Sequence, residues 1–77
     1  MKKPKNPKGK VTNRIKDIRT NHTNLTQEEL GKRVGATRQT IIAIEAGKYA
    51  PSMELAFRIA AEFGVMFEEV FQFDPNG

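Results

Sequence analysis

Apolar residues in the centre of this chain recur at the spacing of two short helices. In the segment QEELGKRVGATRQTIIAIE, Leu30 and Val34 lie four residues apart, and Ile41 and Ile44 lie three apart. Each pair falls on one face of a helix and is expected to point inward. The glycine after Val34 stands where the first helix must end, a position that usually has a positive φ. The pattern therefore predicts two helices joined by a tight turn and packed at a steep angle.

Helix signals also flank this central pair. A helix is predicted to begin near Thr12 or Asn13, either of which can cap it, and the central pair opens with a capping box between Thr26 and Glu29. The second central helix is expected over residues 37–46. The segment SMELAFRIAAEF repeats an apolar residue every four positions, and a fifth, short helix follows in FEEVF. No convincing strand pattern is present, although VFQF could extend. The prediction is an all-α, compact five-helix domain.

Composition narrows the class of protein. The 77 residues allow one small domain, and the absence of cysteine excludes disulfides and thiolate metal sites. Apolar stretches are far shorter than a membrane span, and no hydrophobic segment of a secretory signal follows the first lysines. The one histidine, His22, lies in a polar turn, and no clustered acids suit acid–base chemistry. We therefore expect a cytoplasmic protein that is not an enzyme and takes no metal or cofactor.

The net charge of +4 is unevenly distributed along the chain. Met1–Lys10 carries +5, Val11–Ala50 carries +3 and Pro51–Gly77 carries −4. An anionic polymer is therefore expected to meet the N-terminal two thirds. Residues 1–11 are predicted to form a disordered basic arm, residues 12–73 the domain, and residues 74–77 a tail. The arm either attracts DNA without reading its sequence or serves only to keep the protein in solution.

Four segments give a resemblance to a known family. NRIKDIR, LTQEELGKRVG, TRQTIIAIEAGKYAPSMELAFRIA and FGVMFEEVF follow one another between residues 13 and 73. Together they resemble the helix-turn-helix regulators of the phage repressor/Cro type, also called the XRE family. The resemblance implies a phage repressor-like DNA-binding domain that reads double-stranded DNA in the major groove. It also implies a small transcriptional regulator, which we expect to be a repressor on a palindromic operator.

The helix over residues 37–46 carries the expected base contacts. With Ile41 inward, Gln39 and Ala43 point most nearly outward, toward base edges, and Ile42 flanks them. Arg38 lies at the edge of this face and is long enough to enter the groove. Arg38 can pair with guanine or take a phosphate, and Gln39 can pair with adenine. Ile42 and Ala43 can offer apolar contact to thymine methyl groups. The alternatives are an ordinary solvated helix start for Arg38 and Gln39, and a core or interface role for Ile42.

Contacts to the DNA backbone are expected from Gln27, Thr37 and Lys48. Gln27 lies in the first turn of a helix, where free amides attract phosphate, and Thr37 and Lys48 flank the next helix. The alternative for Lys48 is a position that only faces solvent. Glu45 falls on the inward side of that helix, where an unpaired carboxylate would be costly. The resemblance pairs it with Arg19 in a structural ion pair.

The C-terminal aromatic residues leave two uses open. Phe63, Phe67 and Phe71 recur every four residues and can close the core, whereas Met66, Phe71 and Phe73 can form a dimer face. We favour a homodimer, which would set two reading helices about 34 Å apart. The main alternative to a DNA-binding regulator is an antitoxin-like or other protein-interaction module with the same fold.

Overall fold

The computed structural model describes residues 8–77, which form five helices and two short strands. In chain order these elements are β1 (Lys10–Asn13), α1 (Ile15–His22), α2 (Gln27–Val34), α3 (Arg38–Glu45), α4 (Met53–Phe63), α5 (Phe67–Val70) and β2 (Phe71–Asp74). The predicted five-helix domain is confirmed, and a two-stranded sheet is added to it.

The sheet corrects the predicted ends of the domain. β1 and β2 pair antiparallel, with Lys10 opposite Asp74 and Asn13 opposite Phe71. Lys10 and Val11 therefore belong to a strand rather than to a disordered arm, and α1 begins later than expected, at Ile15. β2 lies largely in the segment VFQF, which the sequence allows to extend, whereas no pattern predicts β1. Each strand has four residues, and its partner lies at the other end of the chain. Residues 1–7 of the predicted arm lie outside the described residues.

Side-chain caps fix the starts of three helices. The Thr26 hydroxyl accepts from the Glu29 N–H at 3.0 Å, and the Glu29 carboxylate accepts from the Thr26 N–H at 3.0 Å. Hydrogen bonds from the Thr26 backbone and then from its hydroxyl hold the pKa of Glu29 below its ordinary value. Thr37 and Ser52 cap α3 and α4 by accepting from the N–H groups three residues on. The capping box at Thr26 is the one that the sequence predicts.

The turn between α2 and α3 depends on two glycines. Gly35 has a φ of 80°, in the left-handed region that disfavours other residues, and its N–H donates to the Gly31 carbonyl. A Cβ at Gly31 would lie 2.6 Å from the Ala36 carbonyl oxygen. The chain that leads into α3 therefore passes directly over Gly31. The close approach at Gly31 and the left-handed backbone at Gly35 together set the orientation of α3 relative to α2.

The core is formed by one aliphatic cluster to which every helix contributes. Ile15, Leu30, Ile41, Ile44, Ile59 and Val70 are fully buried at its centre. The remaining buried hydrophobic residues are Ile18, Val34, Ala56, Ala60 and Phe71. α3 therefore presents two isoleucines inward, as its apolar spacing predicts.

A carboxylate at the end of α3 connects three helices. Glu45 accepts from Arg19 of α1 at 2.8 and 3.2 Å, and from the Gln27 amide of α2 at 2.9 Å. Arg19 also donates to the Leu25 carbonyl at 3.2 Å. The Glu45 side chain is 4% exposed and that of Arg19 is 12% exposed. The ion pair is therefore largely removed from water, and each charge has further hydrogen-bond partners.

We expect Glu45→Ala to lower the free energy of unfolding by about 3 kcal/mol, because it leaves the Arg19 guanidinium without its counter-charge in a dry site. Urea denaturation followed by circular dichroism measures this loss. Lys32→Ala is the matched control, since Lys32 and Glu28 are exposed and 3.7 Å apart and should contribute less than about 1 kcal/mol. Equal urea midpoints for Glu45→Ala and the unaltered protein would contradict the expectation.

Candidate nucleic-acid interface

The outward side of α3 is open to solvent. Arg38 and Gln39 are exposed, and Ile42 and Ala43 are half-buried. These four side chains share one helical face, which we call the reading face, because they lie at positions i, i+1, i+4 and i+5. The rest of residues 8–77 leaves Arg38 and Gln39 uncovered and covers Ile42 and Ala43 in part. The structure therefore brings together the four residues that the sequence assigns to base contacts.

Both ends of α3 are tied to the rest of the domain. At its start, the Thr37 hydroxyl accepts from the Thr40 N–H at 3.1 Å and bonds to the Thr40 hydroxyl at 2.9 Å. At its end, the Asn13 amide donates to the Ile44 carbonyl at 2.9 Å. The same Asn13 side chain accepts from the Ile15 N–H at 3.1 Å, at the start of α1. Asn13 thus joins β1, α1 and α3, a contact that sequence patterns do not reveal.

Two cations flank α3 without internal partners. Among the lysines and arginines between α2 and α4, Lys32 and Arg33 are paired with Glu28 and Glu62. Arg38 and Lys48 make no ion pair within residues 8–77 and are exposed. An ion pair lowers the attraction of a cation for a phosphate, so the two remaining cations are the stronger candidates for binding an anion. Arg38 is the first residue of α3, and Lys48 follows three residues after its last.

The other two expected phosphate contacts have partners inside the domain. The Gln27 side chain donates to Glu45, so its amide serves the buried network. The Thr37 hydroxyl is engaged with Thr40. The capping box of α2 uses the N–H groups of Thr26 and Glu29 and leaves the Gln27 N–H outside it. A phosphate near Gln27 would therefore meet the backbone at the helix start rather than the side chain.

Tyr49 belongs to this surface, although the sequence analysis did not single it out. It is 50% exposed in the loop between α3 and α4, and it lines a notch beside α3 together with Gln39 and Ala43. The sequence feature that could have indicated Tyr49 is its position in GKYAPS, where an aromatic residue falls outside the apolar face of every predicted helix. A tyrosine presents both an apolar ring and a polar hydroxyl, so Tyr49 can make either kind of contact at this surface.

The expected dimer face is corrected at one position. Phe71 is 6% exposed and packs its ring against Phe67 with the centroids 5.1 Å apart, so it belongs to the core and not to a surface. Met66 and Phe73 are 65% and 63% exposed. Phe73, Val11 and Met53 line an open apolar groove of about 290 Å³ between the sheet and α4. Met66 lies outside the lining of that groove.

Two further properties of the described residues bear on function. Within residues 8–77, no group of three or more acidic or histidine side chains is placed to hold a metal ion. None of the helices described has the length and apolar character that crossing a membrane requires.

Comparison with known proteins identifies the family. A model of the helix-turn-helix family matches residues 15–70, which include α1 to α5. The chain therefore belongs to the helix-turn-helix family and is of the XRE type.

Its relatives include an uncharacterized HTH-type transcriptional regulator of Methanocaldococcus jannaschii, 56% identical over 66 residues, covering 86% of this chain and 98% of the relative. One from Archaeoglobus fulgidus, with the same description, is 52% identical and covers 82% of this chain and 87% of its own. A crystal structure of a candidate DNA-binding protein from Bacteroides fragilis matches with a TM-score of 0.73. It is 22% identical and covers 80% of this chain and 98% of that one, which shows a shared fold.

Proposed function

We propose that this protein is a sequence-specific DNA-binding transcriptional regulator that inserts α3 into the major groove and represses by occupying a promoter. The observation that carries the proposal is the reading face, which stays open on a helix anchored at both ends. The relatives named HTH-type transcriptional regulators support the same function. An α-helix with its side chains is about 10–12 Å wide, and the major groove is about 12 Å wide.

The reading face makes both polar and apolar contacts with base edges. Arg38 reaches guanine O6 and N7, and Gln39 reaches adenine N6 and N7. Ile42 and Ala43 contact apolar base edges. Contacts to the DNA backbone come from Lys48, from Thr37, whose exposed side chain caps α3 and still reaches a phosphate, and from the N–H groups at the start of α2 near Gln27. These assignments follow from side-chain chemistry, from exposure and from position on the helix.

We expect Arg38→Ala and Gln39→Ala each to cost about 1–3 kcal/mol on a preferred site and little on random duplex, because a base contact discriminates between sequences. Fluorescence anisotropy on both DNAs measures the two losses. Lys16→Ala in α1 is a control that should leave the ratio of the two affinities unchanged. Losses of the same size on both DNAs would assign Arg38 or Gln39 to the DNA backbone instead.

Lys48 gives a second prediction, based on salt. Each phosphate that a protein neutralises steepens the plot of log affinity against log salt by about 0.9. Lys48→Ala should therefore flatten this slope by about one unit on any duplex. Arg58→Ala removes the same charge from α4, in the acidic third of the chain, and should leave the slope unaltered. If both variants keep the original slope, Lys48 contacts no phosphate.

The apolar groove supports the proposed homodimer. Val11, Met53 and Phe73 are 49%, 74% and 63% exposed around it, and exposed apolar patches on small proteins mark contact surfaces. A second copy of the chain bound there would give the assembly the two-fold symmetry of a palindromic operator. Its two α3 helices would then lie about one turn of DNA, 34 Å, apart.

We expect Phe73→Ser to convert a dimer to a monomer and to weaken binding to a palindromic site by more than tenfold, because two half-sites are no longer bound together. Sedimentation equilibrium and anisotropy measure the two effects. Phe73 is exposed, so the fold should persist. Met66→Ser tests whether the face extends to α5. A monomeric unaltered protein that binds a single half-site would contradict the homodimer.

The same groove also favours the second candidate function, an antitoxin-like or other protein-interaction module. The two functions differ in their DNA binding. A regulator binds random duplex in a salt-dependent way and enriches a preferred sequence from a random pool. A module that acts through protein contacts alone does neither.

A further inference from the structure

Tyr49 and α3 together form a notch beside the reading face. Its lining residues are Thr37, Gln39, Thr40, Ala43 and Tyr49, and its volume is about 260 Å³. A water molecule takes up about 30 Å³ of liquid, so the notch has room for the edge of a larger group. Gln39 and Ala43 belong both to the notch and to the reading face. Whatever α3 meets in a groove of DNA therefore meets this notch as well.

The backbone before Tyr49 is held against α3. The Lys48 N–H donates to the Ala43 carbonyl at 2.9 Å, and the Gly47 N–H donates to the Ile44 carbonyl at 3.0 Å. These two bonds form the hydrogen-bond pattern of a Schellman motif, which fixes how a chain leaves a helix. Pro51 follows two residues after Tyr49 and restricts the backbone between them. The position of Tyr49 relative to α3 is thus set by backbone bonds.

The lining combines apolar surface with two available polar groups. The Thr37 and Thr40 hydroxyls bond to each other, and Ala43 contributes only a methyl group. The Gln39 amide and the Tyr49 hydroxyl make no hydrogen bond within residues 8–77, and both residues are exposed. No acidic side chain lines the notch. A ligand edge with one apolar group next to hydrogen-bonding atoms fits such a lining.

We infer that this notch receives the C5-methyl edge of a thymine, next to the adenine that Gln39 reads, and that Tyr49 is a specificity-determining residue. The inference rests on the proposed function. In the major groove, thymine presents a methyl group beside its O4 acceptor, and cytosine has no methyl group. The Tyr49 ring and the Ala43 methyl remove the thymine methyl from water. A larger residue at position 43 would fill the space.

The test replaces each thymine of a selected site by deoxyuridine, which removes the methyl group and leaves the base pairing intact. The site comes from in vitro selection with the full 77-residue chain. At one thymine or more, deoxyuridine should weaken binding about fourfold, the value expected for one buried methyl group. The quantity compared between variants is this thymine-to-deoxyuridine affinity ratio.

Three variants localise the effect to the notch. Tyr49→Ala should bring the ratio to about one, and Tyr49→Phe should keep it near fourfold, because the ring and not the hydroxyl covers the methyl group. Ala43→Val should also abolish it by filling the notch. Phe57→Ala is the matched control, since Phe57 is a half-exposed aromatic residue on α4, and it should keep the ratio. Circular dichroism checks that each variant is folded.

Three results would overturn the inference. A ratio of one at every thymine means that the notch takes no methyl group. A fourfold ratio that persists in Tyr49→Ala assigns the methyl contact to residues other than Tyr49. A selected site without thymine also refutes it. In these cases the proposed function stands, whereas a selection that enriches no sequence contradicts the proposed function itself.

Discussion

The position of α3 depends on the carboxylate of Glu45. Its two oxygens accept from Arg19 and Gln27 and so link α1, α2 and α3 at one point. With only 4% of the Glu45 side chain exposed, the carboxylate gives up most of its hydration and needs these partners. Hydrogen bonds to charged groups are strong and directional, whereas contacts between aliphatic side chains have no preferred direction. The network therefore specifies the orientation of α3 more narrowly than packing would.

A helix held in this way can leave one side without contacts. Ile41 and Ile44 give α3 its share of the core, Thr37 caps its start, and Asn13 bonds to its last turn. The opposite side needs no internal partner to stay in place. The side chains on this side are therefore not constrained by internal packing and can serve binding. Because the helix that carries them is rigid, less conformational entropy is lost when they bind a ligand. The loop that carries Tyr49 benefits from the same anchoring.

The reading face could be predicted because it follows from helical periodicity. Once Ile41 is assigned inward, the outward positions of Gln39 and Ala43 follow from the geometry of a single helix. The side chain of Gln27 could not be placed in this way, because its partner Glu45 is 18 residues away. Tyr49 was missed for a related reason. The residues that Tyr49 contacts depend on how the loop between α3 and α4 packs against α3. A pattern of apolar residues along the chain does not predict that packing.

The sequence by itself determined the five helices and the ends of α2, since a cap at Thr26 or a left-handed glycine at Gly35 acts within a few residues of chain. The start of α1 at Ile15 was not determined in this way, because the residues before it pair with β2. The tertiary structure decided the sheet, the burial of Phe71 and the groove beside Phe73. Each of these needs two segments from opposite ends of the chain to meet, and β1 and β2 become visible as strands only when they pair. Helix caps and turns depend on neighbouring residues. Contacts between residues about 60 positions apart form only once the core has brought the two segments together.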